Sequence, residues 1–402
     1  MIHSFTCKNF YSFAGENTVK FEVNDKAPKN DGYFVTPSKT RLSKIETIIG
    51  ANASGKTNLL KVLPFLKWLI IDSFAANPSA VLPVKMFILT KNKPAELSVD
   101  FGIDKDVFSY SFKIDEEKVL NEELKVKNKT KDMVTTKTLF ARHWDNENKH
   151  YIFSGEKFDF PKKFENLILR KNASVISAAM RSNHILSEKI AQYWQKVETN
   201  VVEAGWIGDR LLPNATQNLF EVLNFYSENE PLKKEAEKLL RKFDLGFENI
   251  DIKKEKKEDG FTIDVNVIHS FGDKKHSLPL KYTSEGTKHL FVLLKMILQV
   301  LTNGGIAIID EIDASLHPDM VMSLYELFIS PETNPHNAQI IFSTHSHRIL
   351  TEADKYQIVL TEKNNKGVTE AWRLDEVEGV RADDNYYTKY IAGVYGAIPK
   401  IN

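Results

Sequence analysis

Alternating hydrophobic and polar positions recur in several segments of roughly the first 160 residues of the chain. Alternation over 1–23 predicts a strand, a turn and a second strand, and alternation over 96–114 predicts a hairpin. The β-branched run at 45–49 predicts a short buried strand. Further strand-like segments lie at 122–128, 138–144 and 150–153. This part of the sequence therefore predicts a lobe rich in β-strands.

Helical periodicity begins at Thr57, and Pro64 predicts a kink in that helix. Helical patterns dominate 163–245, and a hairpin follows with its turn at Asp259-Gly260. Predicted helices and buried strands then alternate, which favours a parallel sheet. They lie at 287–302 and 318–329 (helices) and at 305–310 and 339–344 (strands). We therefore predict an α/β fold with a discontinuous head, 1–162 with 247–402, and an inserted helical subdomain at 163–246.

Composition narrows the function classes. The 402 residues include 54 Lys plus Arg and 54 Asp plus Glu, so nucleic acid could bind only through local basic patches. The longest apolar stretches, 59–71 and 290–301, contain lysines and are shorter than the roughly 20 residues of a membrane span. The single cysteine, Cys7, excludes an intrachain disulfide, and the N-terminus lacks the pattern of a signal peptide. We therefore expect a cytoplasmic protein that does not contact the membrane.

One short segment carries a specific chemical signal. Residues 50–57 (GANASGKT) match G-x-x-x-x-G-K-[ST] at every fixed position, with a strand predicted before them and a helix after them. Such a loop presents backbone amides to a polyphosphate, and the helix adds the partial positive charge of its N-terminus. We expect Lys56 to reach the β- and γ-phosphates and the Thr57 hydroxyl to bind Mg²⁺. The predicted nucleotide-binding residues are Gly50, Asn52, Ser54, Gly55, Lys56, Thr57 and Asn58.

A second segment supplies carboxylates. The apolar run at 306–309 ends in Asp310 and Glu311. A carboxylate at the C-terminal end of a parallel strand can hold magnesium, here Asp310, and the next can polarise the attacking water, here Glu311. Taken alone, a buried strand that ends in two acidic residues is weak support for this chemistry. Together with the phosphate-binding loop, the two carboxylates support magnesium binding by Asp310 and water activation by Glu311.

The order of further motifs points to a family. Ser284, Glu285, Gly286 and Thr287 stand at the start of a predicted helix, and His345 follows the strand at 339–344. In this order the chain resembles the head of an ABC-type ATPase: Walker A, signature, Walker B, D-loop and switch histidine. The signature departs from L-S-G-G-Q and is similar to the S-x-G-x-K/R form of bacterial ATPases related to RecF, SMC and OLD proteins. Taken alone, these four residues predict only a helix N-cap.

The resemblance implies an ABC-type P-loop NTPase head with an antiparallel β lobe, using ATP and Mg²⁺. It implies a homodimer on ATP binding, in which 284–287 of one subunit meet the nucleotide of the other. His345 is implied to contact the γ-phosphate and Glu311 to be catalytic. The glutamine of the family's Q-loop is missing, because the first Gln after the phosphate loop is Gln192. An apolar-rich segment around Phe87 stands in that region instead.

The C-terminal segment narrows the resemblance. Residues 386–401 resemble the end of abortive-infection AbiL/RloA-type ATPases, as do 9–13 (NFYSF) near the start. Members of this type act with a separately encoded partner, an RloB-like protein proposed to be a nuclease. OLD proteins carry a C-terminal TOPRIM nuclease domain, whereas 57 residues follow His345 here. The resemblance therefore implies an ATPase that controls an effector in anti-phage defence.

Two alternatives remain open. A DNA-repair ATPase of the RecF or SMC type would clamp DNA directly, and a transporter ATPase would couple to membrane helices, although the missing Q-loop glutamine disfavours the transporter. Lysines alternate along one predicted strand at Lys125, Lys127, Lys129 and Lys131. They could track a phosphate backbone, but we favour a solvated edge strand that lysines protect from aggregation. The basic run at 253–257 is interpreted as a solvated hairpin tip.

Overall fold

The computed structural model of the protein describes residues 1–129, 134–161, 165–201, 215–243, 246–257 and 260–399. Its strands are β1 (Ile2–Lys8), β2 (Asn17–Lys20), β3 (Tyr33–Val35), β4 (Arg41–Ser43), β5 (Ile45–Ile49), β6 (Ala95–Ile103), β7 (Asp106–Ile114), β8 (Val119–Lys129), β9 (Val134–Asp145), β10 (His150–Ser154), β11 (Val197–Thr199), β12 (Phe247–Lys257), β13 (Gly260–Phe271), β14 (Lys274–Pro279), β15 (Ile306–Ile309), β16 (Gln339–Ser343), β17 (Ile358–Lys363) and β18 (Thr369–Arg373). Its α-helices are α1 (Lys56–Leu60), α2 (Val62–Ile71), α3 (Glu165–Ile168), α4 (Val175–Ala179), α5 (Ile185–Trp194), α6 (Ala215–Glu228), α7 (Glu230–Phe243), α8 (Glu285–Asn303), α9 (Pro318–Ile329) and α10 (Tyr386–Ile391).

The predicted β lobe is a seven-stranded antiparallel sheet in the order β10-β9-β8-β7-β6-β1-β2. Burial alternates along β6 and β7 because successive side chains point to opposite faces, and the inward residues join one hydrophobic core. The hairpin predicted over 96–114 is confirmed, with Asp104 in the left-handed region at its turn (φ 54°). The strand, turn and strand predicted over 1–23 are confirmed as β1 and β2.

The core sheet has six strands in the order β11-β15-β16-β5-β17-β18. The first five run parallel and β18 pairs antiparallel with β17. Every residue of β5, β15 and β16 is buried, as expected for strands covered on both faces. Because the strands are parallel, the segments that follow β5, β15 and β16 all leave from the C-terminal end of the sheet. This end carries the candidate site.

Two hydrophobic cores cover the two faces of this sheet. Alternate strand residues such as Ile48 and Ile308 pack in the core that contains α1, α2, α4 and α5, shared with the antiparallel sheet. Their neighbours Ile49 and Ile309 pack in the core that contains α7, α8, α9 and α10. The two-residue period of the strands therefore places the helices in layers on either side. The α/β prediction is confirmed.

The disturbance predicted from Pro64 lies one turn before the proline, at Lys61, which ends α1 and serves as the N-cap of α2. Pro64 has no amide hydrogen to donate to the carbonyl of Leu60, four residues earlier, and its ring crowds that carbonyl. The helix therefore breaks directly after Leu60. Pro64 is the third residue of α2, and the amide of the next residue, Phe65, donates to Lys61 O (3.1 Å).

The helix predicted over 318–329 is confirmed as α9, and α8 extends the helix predicted over 287–302. The hairpin of β12 and β13 is confirmed, although Asp259 in its predicted turn lies outside the described residues. A third strand, β14, pairs with β13 and was not predicted. The division into a head and an insertion at 163–246 stays a prediction. Within that range, β11 lies at the edge of the core sheet and pairs with β15.

The edge-strand interpretation of the lysine-rich strand is wrong. β8 lies inside the antiparallel sheet, paired with β7 on one side and β9 on the other. Lys125 pairs with Glu123 (2.6 Å) and Lys127 with Asp100 (2.5 Å), so acidic neighbours on the sheet balance these lysines. Lys131 and the side chain of Lys129 lie outside the described part of the chain. Among the helices that are described, none combines the length and apolar character needed to cross a membrane.

Candidate functional site

The loop after β5 has the backbone of a phosphate cradle. Ala53 and Gly55 both have positive φ angles, 60° and 107°. A Cβ at Gly55 would lie 2.6 Å from the side chain of Thr369 and 3.0 Å from that of Ser12, so a larger residue would clash as well as strain the backbone. Gly50 is equally enclosed, by the backbone of Thr361. The predicted glycines are therefore required by geometry.

Side chains from distant segments brace this loop. The Ser54 hydroxyl lies 2.7 Å from that of Thr361, within β17. Asn58 donates to Ser12 Oγ (3.0 Å), and Thr369 also donates to that hydroxyl (2.8 Å). The N-terminal segment and the β17–β18 hairpin thus hold the loop and the start of the helix that follows it. Asn52 is exposed in the loop.

Lys56 lies across the loop that precedes it. Its Nζ donates to Gly50 O (2.9 Å) and Ala51 O (3.1 Å), and only 6% of the residue is exposed. Burial lowers the pKa of the Lys56 ammonium, and the carboxylates of Asp310 and Glu311 oppose that shift. The loop therefore holds a buried cation next to two carboxylates, at the position where phosphate charge would be balanced.

The predicted metal ligands meet at the C-terminal end of the sheet. Thr57 Oγ1 donates to Asp310 Oδ2 (2.7 Å), and Ser343 Oγ donates to Asp310 Oδ1 (2.5 Å). A hydroxyl and a carboxylate are the hard oxygen donors that Mg²⁺ prefers, so the residues present fit this ion. Ser343 was not predicted, although it ends the strand before His345. The strand order explains its role, because β16 lies between β5 and β15.

The backbone conformation of Glu311 is unusual. Glu311 has φ 50°, in the left-handed region that residues other than glycine seldom occupy. Its amide donates to Ser343 Oγ (2.7 Å). Its Oε1 lies 3.8 Å from His345 Nε2, and the amide of His345 donates to Asp313 Oδ2 (3.1 Å). Such strained residues cluster at functional sites, and here the strain belongs to the predicted catalytic residue.

The four predicted signature residues lie at the start of α8. Ser284 is its N-cap, accepting a hydrogen bond from Thr287 N (3.1 Å), and Glu285 pairs with Lys288 (2.7 Å). A Cβ at Gly286 would lie 2.7 Å from Ser315 O, so glycine allows close contact with the segment after Glu311. The contacts of Ser284 and Gly286 thus go to their own helix and to Ser315, not to the phosphate loop.

A groove of about 530 Å³ runs beside these residues. Ser284 and Gly286 line it, together with Ser315, Tyr282 and His317. Tyr282 is 69% exposed. Ser284 caps α8, as the helix-capping interpretation predicted. The groove also leaves Ser284 and Gly286 open to a further partner.

Two weaker predictions have structural outcomes. His317 caps α9 by accepting from Asp319 N (3.2 Å), as its position before Pro318 suggested. Phe87, in the region of the missing Q-loop glutamine, is 6% exposed, so its side chain serves the packing of that loop.

Sequence reasoning also missed Asn200, which directly follows β11. Its Oδ1 accepts from Asp310 N (2.7 Å) and its Nδ2 donates to Asp310 O (3.0 Å). A single asparagine between a short strand and a poorly patterned region gives no sequence signal, and only the pairing of β11 with β15 reveals its position.

A buried parallel sheet, a glycine-bounded phosphate loop and an Asp-Glu pair at the same end of that sheet define the protein as an ABC-like P-loop ATPase. The family described as "AAA domain, putative AbiEii toxin, Type IV TA system" matches residues 47–351, and the chain belongs to this family. No curated protein matches the chain.

Solved structures similar to this chain include three heads of SMC proteins. The "SMC head domain from Thermotoga maritima" is 13% identical with a TM-score of 0.40, covering 92% of this chain and 98% of that chain. An SmcHead bound to the C-winged helix domain of ScpA is 15% identical with a TM-score of 0.46, covering 92% and 96%. An Smc head bound to the C-terminal domain of ScpA derived from Pyrococcus furiosus is 14% identical with a TM-score of 0.44, covering 94% and 97%. Likenesses at this level carry no information about function.

Proposed function

We propose that this protein hydrolyses ATP to ADP and phosphate and that ATP binding closes a homodimer. The observation that carries the proposal is the convergence of five groups at the C-terminal end of the core sheet. Lys56 and Thr57 come from the phosphate loop, Asp310 and Glu311 from the end of β15, and His345 from the end of β16. Each role requires a different chemical group, and each group is present.

The chemistry follows from these positions. The loop amides and Lys56 bind the phosphates, while Thr57 and Asp310 hold Mg²⁺, which when bound neutralises phosphate charge. Glu311 polarises the attacking water and takes up its proton. We assign the contact with the γ-phosphate to His345, and its Nε2, 3.8 Å from Glu311 Oε1, supports this role.

The signature supports the dimer. The described contacts of Ser284 and Gly286 do not reach the phosphate loop of their own chain. Both residues nevertheless line an open groove. A hydroxyl and amides at the start of a 19-residue helix suit the phosphate of a second subunit. The active site is therefore composite, with the Walker residues of one subunit and 284–287 of the other.

Phosphate release by the purified protein tests hydrolysis and composite assembly together. We expect release to require Mg²⁺ and ATP, and to rise more steeply than linearly with protein concentration below the dimer's dissociation constant. A strictly linear dependence over the monomer range would contradict the composite site. No release under any of these conditions, with ATP bound, would contradict hydrolysis.

We further propose that the ATP state controls a separately encoded effector, an RloB-like nuclease, in anti-phage defence. The family description names a putative toxin of a type IV toxin–antitoxin system, which supports a role in this area of biology. Direct DNA clamping receives no support from Lys125 and Lys127, whose charges are balanced by Glu123 and Asp100.

Plaque counts on cells that express this protein, its gene neighbour, or both test the defence role. We expect protection only from the pair, and loss of protection when Lys56→Ala or Glu311→Gln replaces the native chain. Full protection by the neighbour with Lys56→Ala would contradict ATP control. Cleavage of DNA or RNA by the purified chain alone would place the effector activity in this protein.

A further inference from the structure

The backbone of Asp310 is left without a normal sheet partner on one side. Asp310 follows the last residue of β15, and the chain turns away at Glu311, whose φ is 50°. On the β16 side, Ser343 holds the Glu311 amide and the Asp310 carboxylate. On the other side, β11 ends at Thr199, which pairs with Ile308.

The side chain of Asn200 continues the hydrogen bonding between β11 and β15 by one residue. Its amide accepts from Asp310 N (2.7 Å) and donates to Asp310 O (3.0 Å), while its own backbone amide donates to Ile308 O (3.3 Å). A primary amide can accept and donate in one plane, as a peptide group does, and few other side chains can do this. Both backbone polar groups of Asp310, on the two peptide bonds that flank its Cα, are therefore held, and its side chain is aimed at Thr57.

The strand that carries Asn200 is tied to helices on both sides. Lys67 of α2 donates to Val197 O (2.5 Å), and Lys295 of α8 pairs with Glu198 (3.0 Å). Helix α2 continues from the phosphate-loop helix, and α8 begins at Ser284. The position of Asn200 thus depends on the helices that carry the two halves of the proposed site.

We propose that Asn200 is a positioning residue for the magnesium-binding carboxylate of Asp310, held in place by β11. The inference rests on the proposed ATPase function. The side-chain hydrogen bonds of Asn200 go to the backbone of Asp310, and Asn200 acts through that backbone. Its loss would release the backbone on both sides of the Asp310 Cα, which misdirects the carboxylate while the phosphate loop stays intact.

The test is Asn200→Ala, with Thr199→Val as the matched control on the same strand. Thr199 Oγ1 accepts only a local bond from Val201 N (3.0 Å) among its described contacts, so its loss leaves Asp310 held. ATP binding is measured by calorimetry across a magnesium titration and again in EDTA. Loss of two hydrogen bonds to a metal ligand should raise the half-saturating Mg²⁺ concentration about tenfold. The melting temperature of Asn200→Ala should fall, because two backbone groups of Asp310 lose their partners, but its affinity for ATP in EDTA should match the wild type. Thr199→Val should leave the magnesium requirement and the affinity in EDTA unchanged.

Asn200→Ser supplies a second variant if the alanine protein does not fold, because one hydroxyl can replace one of the two bonds. It should give an intermediate magnesium shift. An unchanged magnesium requirement in a folded variant would overturn the proposal, as would loss of the fold in both variants, which would make Asn200 purely structural. If the wild type binds ATP equally with and without Mg²⁺, the proposed ATPase site itself fails, and the two failures are thereby distinguished.

Discussion

The two halves of the proposed site differ in how complete they are within one chain. At the C-terminal end of the core sheet, Thr57, Asp310 and Ser343 form a continuous set of hydrogen bonds that joins α1 to the ends of β15 and β16. At the start of α8, Ser284 bonds only its own helix in its described contacts, and Gly286 packs on Ser315. The first half is organised by the fold, whereas the second is a capped helix beside an open groove.

Under the proposed function, this difference predicts that the chain binds nucleotide alone and requires a second copy for turnover. Hydrogen bonds between Walker groups keep their polar atoms paired within the monomer, so the fold holds them ready. The described contacts of Ser284 and Gly286 include no such cross-link to the phosphate loop. Substitutions in the first half should therefore change ATP binding or turnover, and substitutions in the second half should change dimerisation.

The largest expected effect is that of Lys56→Ala. It removes the buried cation of the phosphate loop, and each charge-assisted hydrogen bond lost costs about 1.5–3 kcal/mol, so ATP binding should become undetectable. Lys61→Met is the control, because Lys61 is also a buried lysine of this region but lies over the Tyr11 ring (4.4 Å). Calorimetry should show normal affinity for the control. Equal affinities for Lys56→Ala and wild type would reject the phosphate-binding role.

Glu311→Gln should stop turnover without loss of binding. The amide keeps the shape of the side chain but cannot accept the proton of water, so kcat should fall by about 10²–10⁴ while the ATP affinity is kept. Asp310→Asn is the comparison, since it should weaken magnesium-dependent binding as well. Size-exclusion chromatography should show an ATP-trapped dimer for Glu311→Gln. A kcat equal to wild type would show that Glu311 is not the base.

Ser284→Arg tests the second half directly. The bulky cation should leave ATP binding by the monomer unchanged and block closure of the dimer, because the residue borders the groove next to Ser315. Ser227→Arg places the same charge on an exposed position of α6 and should dimerise normally. Light scattering with ATP separates the outcomes, and a normal dimer for Ser284→Arg would contradict the composite site.

Prediction from sequence worked best where one motif fixes one backbone shape. The phosphate loop, β15 and α9 follow from local patterns, because glycine positions, apolar runs and a proline at a helix start each have a local cause. Ser343 and Asn200 escaped prediction because their roles depend on which strands are neighbours in the sheet. The edge-strand interpretation of Lys125 and Lys127 failed for the same reason, since β9 covers that edge.

The smallest expected effect separates the two roles of Ser284. Ser284→Ala removes the cap of α8 and should lower the free energy of unfolding by about 1 kcal/mol in a denaturant titration. Asp is as good an N-cap as Ser, so Ser284→Asp should keep wild-type stability. Its carboxylate would nevertheless face the γ-phosphate of the other subunit, and like charges repel. We therefore expect Ser284→Asp to be stable and to bind ATP as a monomer, but not to dimerise with ATP. If Ser284→Asp dimerises as readily as the wild type, the hydroxyl serves only the helix, and the open groove beside it has another use.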